Sequence, residues 1–329
     1  MTLNVMVWRI HFGEDDLARV QVSPTLGPLA ETVLAVGMLR CTQQPRTLLS
    51  EWRGQVSVTP RMTPLTALIP PDCRGVDLPT LVGETATIEQ GLQALLTVPR
   101  EHLLVEMEYI DRRNRLSPLA WAMAEATGRP ELAEATQVAY RELVQPFWPR
   151  IRARLHAEQA ARRRTMADRG PGALLASLQG PRIRWRPPVL EILMPGTVEM
   201  ELGGRGIALV PSVFVGREPS LHENPNREDE MPRLILPAED ARSARLWAPS
   251  RSRGPALAAL VGRNRAAVLQ SVADGCTTTE LARRVGISLA AASQHASVLR
   301  GAGLIATRRQ GSAVLHVLTP LGAELLQAG

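Results

Sequence analysis

The chain has 329 residues, of which 45% are hydrophobic, and its 38 basic and 32 acidic residues leave a net charge of +6. It contains no run of 18 apolar residues, and it does not begin with a charged segment followed by a short apolar one. We therefore expect a cytoplasmic protein that is neither exported nor in contact with a membrane. A length above ~250 residues predicts about two domains.

The three cysteines are Cys41, Cys73 and Cys276. Their odd number and wide spacing fit neither a disulfide framework nor a cysteine-based zinc site. We therefore expect lone buried thiols.

Residues 14 to about 179 carry mainly helical patterns. Asp15 and Asp16 lie where acidic residues begin a helix, and Pro146 and Pro149 interrupt the longest pattern. The arginine-rich stretch 150–169 is typical of a solvated helix face, with phosphate contact as the alternative. Apolar residues recur at helical spacing in five segments, Leu26–Leu39, Ile88–Leu96, Arg100–Ile110, Leu116–Ala126 and Glu131–Met166.

From Arg182 the pattern changes to short β-like runs at close spacing, which predict a small antiparallel meander in residues 181–250. The turn signals Pro195-Gly196 and Gly203–Gly206 separate these runs. The second turn leads into a strand rather than a helix, which favours a hairpin turn over a phosphate-binding loop. The runs are Ile183–Trp185, Val189–Leu193, Val198–Leu202, Ile207–Phe214 and Leu234–Leu236.

Residues 1–250 contain no recognisable catalytic or metal-binding motif. Neighbouring acids at Asp15-Asp16 and Glu228-Asp229-Glu230 are expected at a helix start and in a polar loop. Trp148 and Trp185 are expected in the core rather than in a ligand cage. We expect no enzyme activity, cofactor or metal, although distant residues can converge into a site that spacing does not reveal. The histidines without a partner at metal-ligand spacing are His11, His102, His156 and His222.

A stretch rich in proline, serine, glycine and arginine, Ala248 to Pro255, predicts a domain boundary, and a helix is expected from Ala256 to Asp274. The charge balance changes at the same place. Residues 1–250 contain 29 basic and 29 acidic residues, whereas residues 251–329 contain nine arginines and three acids. The entire net charge of +6 thus lies in the C-terminal segment, where it favours contact with phosphate.

Two helices joined by a glycine turn follow. Thr277 is placed to cap the first helix, with Glu280 completing a capping box three residues later. Gly286 ends this helix and Ser288 caps the second. Gly303 ends the second helix, whose narrow buried face is predicted to consist of Ala292, Ala296 and Leu299. A helix this slim suits the DNA major groove, because its side chains do not hold the backbone away from the bases.

The segment after Gly303 predicts a basic β-hairpin. Two strands, Leu304–Thr307 and Val314–Leu318, flank a turn of two arginines, Gln310, a glycine and a serine. Thr319 and Pro320 then open a last apolar helix. The ordered succession favours a winged helix-turn-helix over a helical hairpin followed by a solvated β-hairpin. The predicted fold class is α+β and mainly α, with a helical region (1–180), a small antiparallel sheet (181–250) and a C-terminal winged helix-turn-helix (256–329).

From Thr277 to Leu326 the chain resembles the winged-helix domain of the ArsR/SmtB family of bacterial transcriptional regulators. The first 250 residues resemble the uncharacterised N-terminal region of long actinobacterial members, which brings no known activity. The segments that carry the first resemblance are Glu280-Leu281-Ala282, Val285-Gly286-Ile287-Ser288, Ser293-x-His295, Leu299-Arg300-x-Ala302-Gly303-Leu304-Ile305, Arg309-x-Gly311 and Leu318-Thr319-x-x-Gly322. Those of the second are Ile10-His11-Phe12, Gly27-Pro28-Leu29, Phe147-Trp148-Pro149-Arg150-Ile151 and Val210-Pro211-Ser212-Val213-Phe214.

The resemblance implies a homodimer in which the first and last helices of the domain pair two subunits, with intrachain packing as the alternative use of the same residues. Metal sensing is not carried over, because the cysteine ligand positions of the family fall on Thr277 and Thr279 and the last helix offers only Glu324. The residues expected at the dimer contact are Leu257, Leu260, Val261, Leu321 and Leu325.

These observations predict a sequence-specific regulator of double-stranded DNA, a homodimeric repressor with a non-metal or unknown effector. The alternatives are an enzyme or small-molecule-binding protein in residues 1–250 that is docked through the winged helix, and a scaffold that binds protein. Gln294 is expected to read a base, and Ala290 and Ala291 to touch thymine methyls. The residues expected at the phosphates or beside them are Thr277, Thr278, Ser288, Ser293, His295, Arg308, Arg309 and Gln310.

Overall fold

The computed structural model divides the chain into two compact units, Met1–Trp247 and Ala248–Gly329. Among the described residues, no helix is both long enough and apolar enough to cross a membrane. The described residues are 7–42, 45, 47, 49–71, 75–112, 115–178, 182–193, 197–216, 218–224, 227, 229–238, 244–247, 254–272, 275–310 and 313–328.

The first unit is built mainly from helices, as its periodicity predicts. The segment around Pro146 is broken as expected: a π-helical turn, Tyr140–Val144, precedes it, and the next helix begins at Trp148 with Pro149 in its first turn. That long helix has a kink at Gly170, whose φ is 80°. The helices are α1 Glu14–Ala18, α2 Pro28–Arg40, α3 Ser50–Arg53, α4 Thr63–Ala67, α5 Leu78–Val82, α6 Ile88–Thr97, α7 Arg100–Asp111, α8 Pro118–Ala122, α9 Arg129–Ala139, α10 Trp148–Ser177 and α11 Ala244–Trp247, with a 3-10 turn at Pro60–Met62.

Two four-stranded sheets complete the first unit, in the orders β3-β4-β1-β5 and β2-β6-β8-β7. The predicted antiparallel meander within 181–250 is wrong in two respects. Both sheets contain parallel pairs, β1 with β5, and β6 with both β2 and β8, and each takes one strand from the N-terminal segment. The strands are β1 Val7–His11, β2 Gln21–Val22, β3 Ile183–Arg186, β4 Val189–Leu193, β5 Val198–Glu201, β6 Ala208–Ser212, β7 Ser220–His222 and β8 Arg233–Pro237.

The glycine-rich segment 203–206 joins two different sheets, so the predicted hairpin turn is corrected to a crossing between sheets. Gly206 has a φ of 71°, and its N–H donates to the buried carboxylate of Asp16 at 3.0 Å. The same carboxylate accepts the N–H of Gly13 at the start of α1. Asp16 therefore begins a helix, as predicted, and also fixes this crossing. The predicted turn at Pro195-Gly196 lies outside the described residues.

Two hydrophobic cores fill most of the first unit. The helical core contains an aromatic cluster of Trp52, Phe147, Phe214 and Trp247, whose neighbouring ring centroids lie 4.7–5.9 Å apart. The second core is formed mainly by buried residues of the two sheets. The two tryptophans expected in the core, Trp148 and Trp185, are both buried.

The prediction of lone buried thiols is wrong for Cys41. This residue, at the end of α2, is disulfide-bonded. Cys276 takes part in no disulfide bond and is fully buried, as predicted. Cys73 lies outside the described residues.

The second unit holds five helices and a three-stranded antiparallel sheet of order β10-β11-β9 in its described part. The single helix expected from Ala256 to Asp274 is two helices, because Gly262 adopts a φ of 86° between them. The elements are α12 Gly254–Val261, α13 Arg263–Ser271, β9 Cys276–Thr277, α14 Thr278–Val285, α15 Leu289–Gly301, β10 Ile305–Gln310, β11 Ala313–Leu318 and α16 Pro320–Ala328.

Candidate nucleic-acid interface

The start of α14 is fixed by reciprocal hydrogen bonds between Thr277 and Glu280. The Thr277 hydroxyl accepts the N–H of Glu280 at 3.3 Å, and the Glu280 carboxylate accepts the N–H of Thr277 at 2.8 Å. These bonds stabilise the ionised carboxylate and lower the pKa of Glu280. This is the capping box expected from the sequence, and it engages the hydroxyl of Thr277 within the domain.

The connection between α14 and α15 is a tight glycine turn. Gly286 adopts the left-handed conformation, with a φ of 70°, which a residue without a Cβ accepts most readily. Two residues later the Ser288 hydroxyl accepts the N–H of Ala291 at 3.2 Å and caps α15. Both the glycine turn at Gly286 and the cap at Ser288 were expected from the sequence. Together they make the second helix begin close to the end of the first.

Helix α15 presents a small apolar face inward and a polar face outward. Its buried side chains are Ala292, Ala296 and Leu299, as the periodicity predicts. Of the residues expected at DNA, Ala290, Ser293 and Gln294 are exposed, while Ala291 and His295 are half-buried. The outer face is slim enough for a major groove, and Gln294 lies on it.

Four further side chains of α15 lie on the exposed surface and were not among the expected site residues. Leu289 is 55% exposed at the start of the helix, and Ser297, Val298 and Arg300 are exposed near its end. Helical spacing could have indicated Ser297, because it follows Ser293 by four residues.

The predicted β-hairpin is present as β10 and β11, paired from Ile305 with Leu318 to Gln310 with Ala313. Arg308, Arg309 and Gln310 occupy the last three positions of β10. Their backbone is described, but their side chains lie outside the described residues, as do Gly311 and Ser312 of the turn.

A polar network links α14, α15 and the hairpin around a buried imidazole that sequence reasoning missed. The Nε2 atom of His316 lies 3.0 Å from the hydroxyl of Thr278, and its Nδ1 atom lies 3.3 Å from that of Thr307. Burial lowers the pKa of His316, and the positive charge of Arg300 lowers it further. The imidazole is therefore neutral at pH 7.

The described surface of the second unit is strongly basic. Arg284 donates to the carbonyl oxygen of Ser271, and Arg300 donates to the hydroxyls of Ser297 and Thr307. Such guanidinium groups supply the phosphate contacts on which most non-specific DNA affinity depends. The exposed arginines in this part of the chain are Arg263, Arg265, Arg283, Arg284 and Arg300.

The residues expected at a dimer contact fall into two groups. Leu257 is 2% exposed and packs into the core of its own unit. This residue therefore follows the alternative of packing within its own chain. Leu260 and Leu321 are 72% and 54% exposed. Val261 and Leu325 are half-buried against the core. Leu260 and Leu321 are therefore the members of this set available for contact with a second subunit.

The first unit contains a buried polar cluster whose members are far apart in sequence. The Nδ1 atom of His222 on β7 lies 2.5 Å from the carboxylate of Asp77, which also caps α5 through the N–H of Thr80. Glu106 on α7 lies close enough to exchange electrostatic interactions with both. The Nε2 atom of His222 is buried and makes no hydrogen bond to any described residue. His222 thus has a partner, contrary to what its sequence spacing indicates.

This cluster perturbs three pKa values in ways that burial and charge explain. Burial raises the pKa of Glu106 to about 7, and the Asp77 carboxylate adds to the effect. Burial alone would lower the pKa of His222, but the charges of Asp77 and Glu106 outweigh it and raise that pKa. Burial would raise the pKa of Asp77, but His222 outweighs it and lowers that pKa. Within the described residues, no group of three or more histidine, cysteine, aspartate or glutamate side chains could hold a metal ion.

Comparison with known proteins identifies one domain. A model of a helix-turn-helix domain matches residues 263–308, which span α13, α14, α15 and the start of the hairpin. No curated protein and no solved structure matches the chain. The matched segment has the capped first helix, glycine turn and exposed second helix described above. The second unit therefore contains a helix-turn-helix domain of the DNA-binding type.

Proposed function

We propose that the protein is a sequence-specific transcriptional regulator of the ArsR/SmtB type, acting in the cytoplasm as a homodimeric repressor without enzyme activity. The observation that carries this proposal is the exposed outer face of α15, which follows a capped helix and a glycine turn inside the matched domain. A second helix presented in this way enters the major groove in helix-turn-helix proteins.

Within this proposal, the residues of the domain have different tasks. Gln294 reads a base, because its amide can bond bidentately to adenine, and the methyl of Ala290 can contact thymine. Ser293 and His295 contact phosphates beside it, and the tip of the hairpin contributes Arg308 and Arg309. The hydroxyls of Thr277 and Ser288 are engaged in capping their helices. At these two positions the backbone N–H groups of the helix starts therefore contact the phosphates in place of the hydroxyls.

Homodimerisation follows from the small size of the reading surface. One helix of this kind contacts too few base pairs for useful selectivity, and two-fold pairing doubles the site. Leu260 and Leu321 support this proposal, because each exposes a large apolar side chain on the helices that would pair.

The test is a titration of the full chain against DNA from its own upstream region and against random DNA across a salt series. A specific regulator binds the upstream site more tightly, and log affinity falls by about 0.9 per phosphate contact for each unit of log salt. Equal affinity for the two DNAs at every salt concentration would contradict sequence-specific regulation.

We propose in addition that the first unit binds a small, non-metal effector. The cluster of Asp77, Glu106 and His222 favours this role, because buried groups with perturbed pKa values and an unsatisfied ring nitrogen concentrate at binding sites. The Nε2 atom of His222 makes no hydrogen bond to any described residue, so it remains able to donate to or accept from a ligand. Thermal unfolding of the wild type and of His222→Gln, measured with a panel of small organic acids, amines and neutral carbonyl compounds, tests it. A compound that stabilises the wild type alone supports the site; equal shifts in both proteins contradict it.

A further inference from the structure

Arg300 lies in the last turn of α15 and is held by two hydroxyl groups. One terminal nitrogen donates to the Ser297 hydroxyl at 3.2 Å, and the other donates to the Thr307 hydroxyl at 3.4 Å. Ser297 belongs to α15, whereas Thr307 belongs to the hairpin strand β10. The guanidinium is therefore hydrogen-bonded to both the helix and the hairpin, and the side chain of Arg300 remains exposed.

The Thr307 hydroxyl has a second partner, the buried ring of His316. These two residues face each other in the register of β10 and β11, and the ring lies 3% exposed between the strands and α14. The opposite ring nitrogen reaches the hydroxyl of Thr278, the first residue of α14. One imidazole thus connects the beginning of α14 with the hairpin and, through Thr307, with the end of α15.

The charge state of His316 decides which hydrogen bonds its ring can make. Arg300 is the nearest charged group, and the remaining charged side chains described on the neighbouring helix α14 are Glu280, Arg283 and Arg284. A neutral imidazole has one N–H donor and one acceptor nitrogen, so one of its two threonine partners donates and the other accepts. The hydroxyls of Thr278 and Thr307 are consequently oriented by the ring.

A phosphate oxygen is the ligand that fits the outer side of this network. A guanidinium carries five N–H donors, and the two anchoring bonds leave further donors for an oxygen of a ligand. Because those bonds restrain the side chain before DNA arrives, less conformational entropy is lost on binding than for an unrestrained surface arginine. Arg300 also extends the row of exposed residues that begins with Ser293 and Ser297.

We infer that Arg300 is a phosphate-contacting residue and that His316 is a positioning residue, which holds Arg300 toward the DNA backbone through Thr307. This inference rests on the proposed DNA-binding function. It adds to that function a contact at the end of α15 and a buried residue that controls it.

A double-mutant cycle on the full chain tests the inference. Arg300→Gln is expected to weaken binding to specific and random DNA alike by about tenfold, and to reduce the salt slope by about 0.9. His316→Leu is expected to weaken binding by a smaller factor. Because His316 acts through Arg300, the double variant is expected to bind nearly as well as Arg300→Gln alone. Independent losses that multiply in the double variant would overturn the positioning role.

Matched variants separate positioning from simple loss of structure. His316→Gln retains a donor and an acceptor and is expected to recover most of the affinity lost in His316→Leu. Thr307→Val removes only the linking hydroxyl, and it is expected to reproduce the loss with an unchanged circular dichroism spectrum even if His316→Leu does not fold. Arg61→Gln removes the same charge from an exposed site of the first unit and is expected to leave the affinity unchanged.

The outcomes for the proposed function and for this inference are distinct. Failure of the wild type to bind DNA would remove the proposed function and the inference together. Wild-type binding that Arg300→Gln and Thr307→Val leave unaltered would overturn the inference alone.

Discussion

Gly322 and Leu304 approach so closely that a Cβ atom on Gly322 would lie 1.9 Å from the carbonyl oxygen of Leu304. The contact joins α16 to Leu304, which lies between the end of α15 and the start of β10. It is reinforced by Thr319, whose hydroxyl donates to the carbonyl oxygen of Gly303 and accepts the N–H of Gly322 at 3.0 Å. The start of helix α16 is therefore held against the segment that follows α15.

We expect Gly322→Ala to destabilise the second unit by about 1–3 kcal/mol, because the added methyl group must displace backbone. Urea unfolding followed by far-ultraviolet circular dichroism measures this change. Gly301→Ala is the matched control: no atom lies within 4 Å of its added Cβ, so its stability should remain the same or rise slightly. Equal stability of the two variants would contradict the close approach.

Gln294 and Arg308 should differ in how their loss affects DNA recognition. Gln294→Ala is expected to reduce the preference for the specific site, because it removes a base contact, while random DNA is bound almost as before. Arg308→Ala is expected to weaken binding to all sequences and to lower the salt slope by about 0.9. Competition titrations with specific and random DNA measure both effects. The same loss on every sequence for both variants would refute this division.

The stability of the first unit should fall as the pH rises from 5 toward 9. Burial raises the pKa of Glu31 to about 8 against the hydrogen bond from Ser212, and that of Glu106 to about 7, from ordinary values of 4.5. Between the unfolded and folded pKa values the folded state holds more protons, so raising the pH favours unfolding by roughly 1.4 kcal/mol per pH unit for each such group. The raised pKa of His222 acts in the same direction.

Urea midpoints between pH 5 and 9, followed by tryptophan emission, measure this dependence, because all six tryptophans lie within residues 1–247. Glu31→Gln keeps a polar group beside Ser212 and cannot ionise, so it should flatten the curve. A wild-type midpoint that does not change over this range would contradict the protonated state of these carboxyl groups.

Asp77→Asn tests the buried pair in the first unit. Asparagine also caps helices well, so the substitution preserves the bond to Thr80 and removes chiefly the charge opposite His222. We expect the first unit to lose about 3 kcal/mol, because the mostly buried ring of His222 loses the carboxylate that stabilises its charged form, and the pKa of His222 to fall. Nuclear magnetic resonance titration of the histidine rings and urea unfolding check the two effects. An unchanged histidine titration would show that the pair does not set the charge of His222.

The parts of the structure that sequence reasoning predicted well are those that depend on a few neighbouring residues. The capping box of Thr277 and Glu280 closes within one helical turn, and the left-handed conformation at Gly286 requires no distant partner. The inner face of α15 follows from the 3.6-residue period alone. For these reasons the helix-turn-helix could be located residue by residue.

The parts that sequence reasoning missed depend on pairing across long stretches of chain. Trp8 pairs with Ile192 across the first sheet, and short strands carry too little pattern to indicate partners so far away. Asp77, Glu106 and His222 lie at the start of α5, on α7 and on β7, which are far apart in sequence, so spacing along the chain gives no sign of their contact. The ring of His316 was likewise overlooked, because one histidine in an apolar strand has no local signal.

Trp247 is the last residue of the first unit, and it is also one of its most deeply buried side chains, in contact with the rings of Trp52, Phe147 and Phe214. The aromatic centre of the helical core is therefore complete only when Trp247, the final residue of the unit, is present. A fragment that ends a few residues earlier would carry an unfilled hole the size of an indole, whereas one that ends just after Trp247 carries its complete core. Any attempt to isolate the first unit should place its C-terminus beyond this residue.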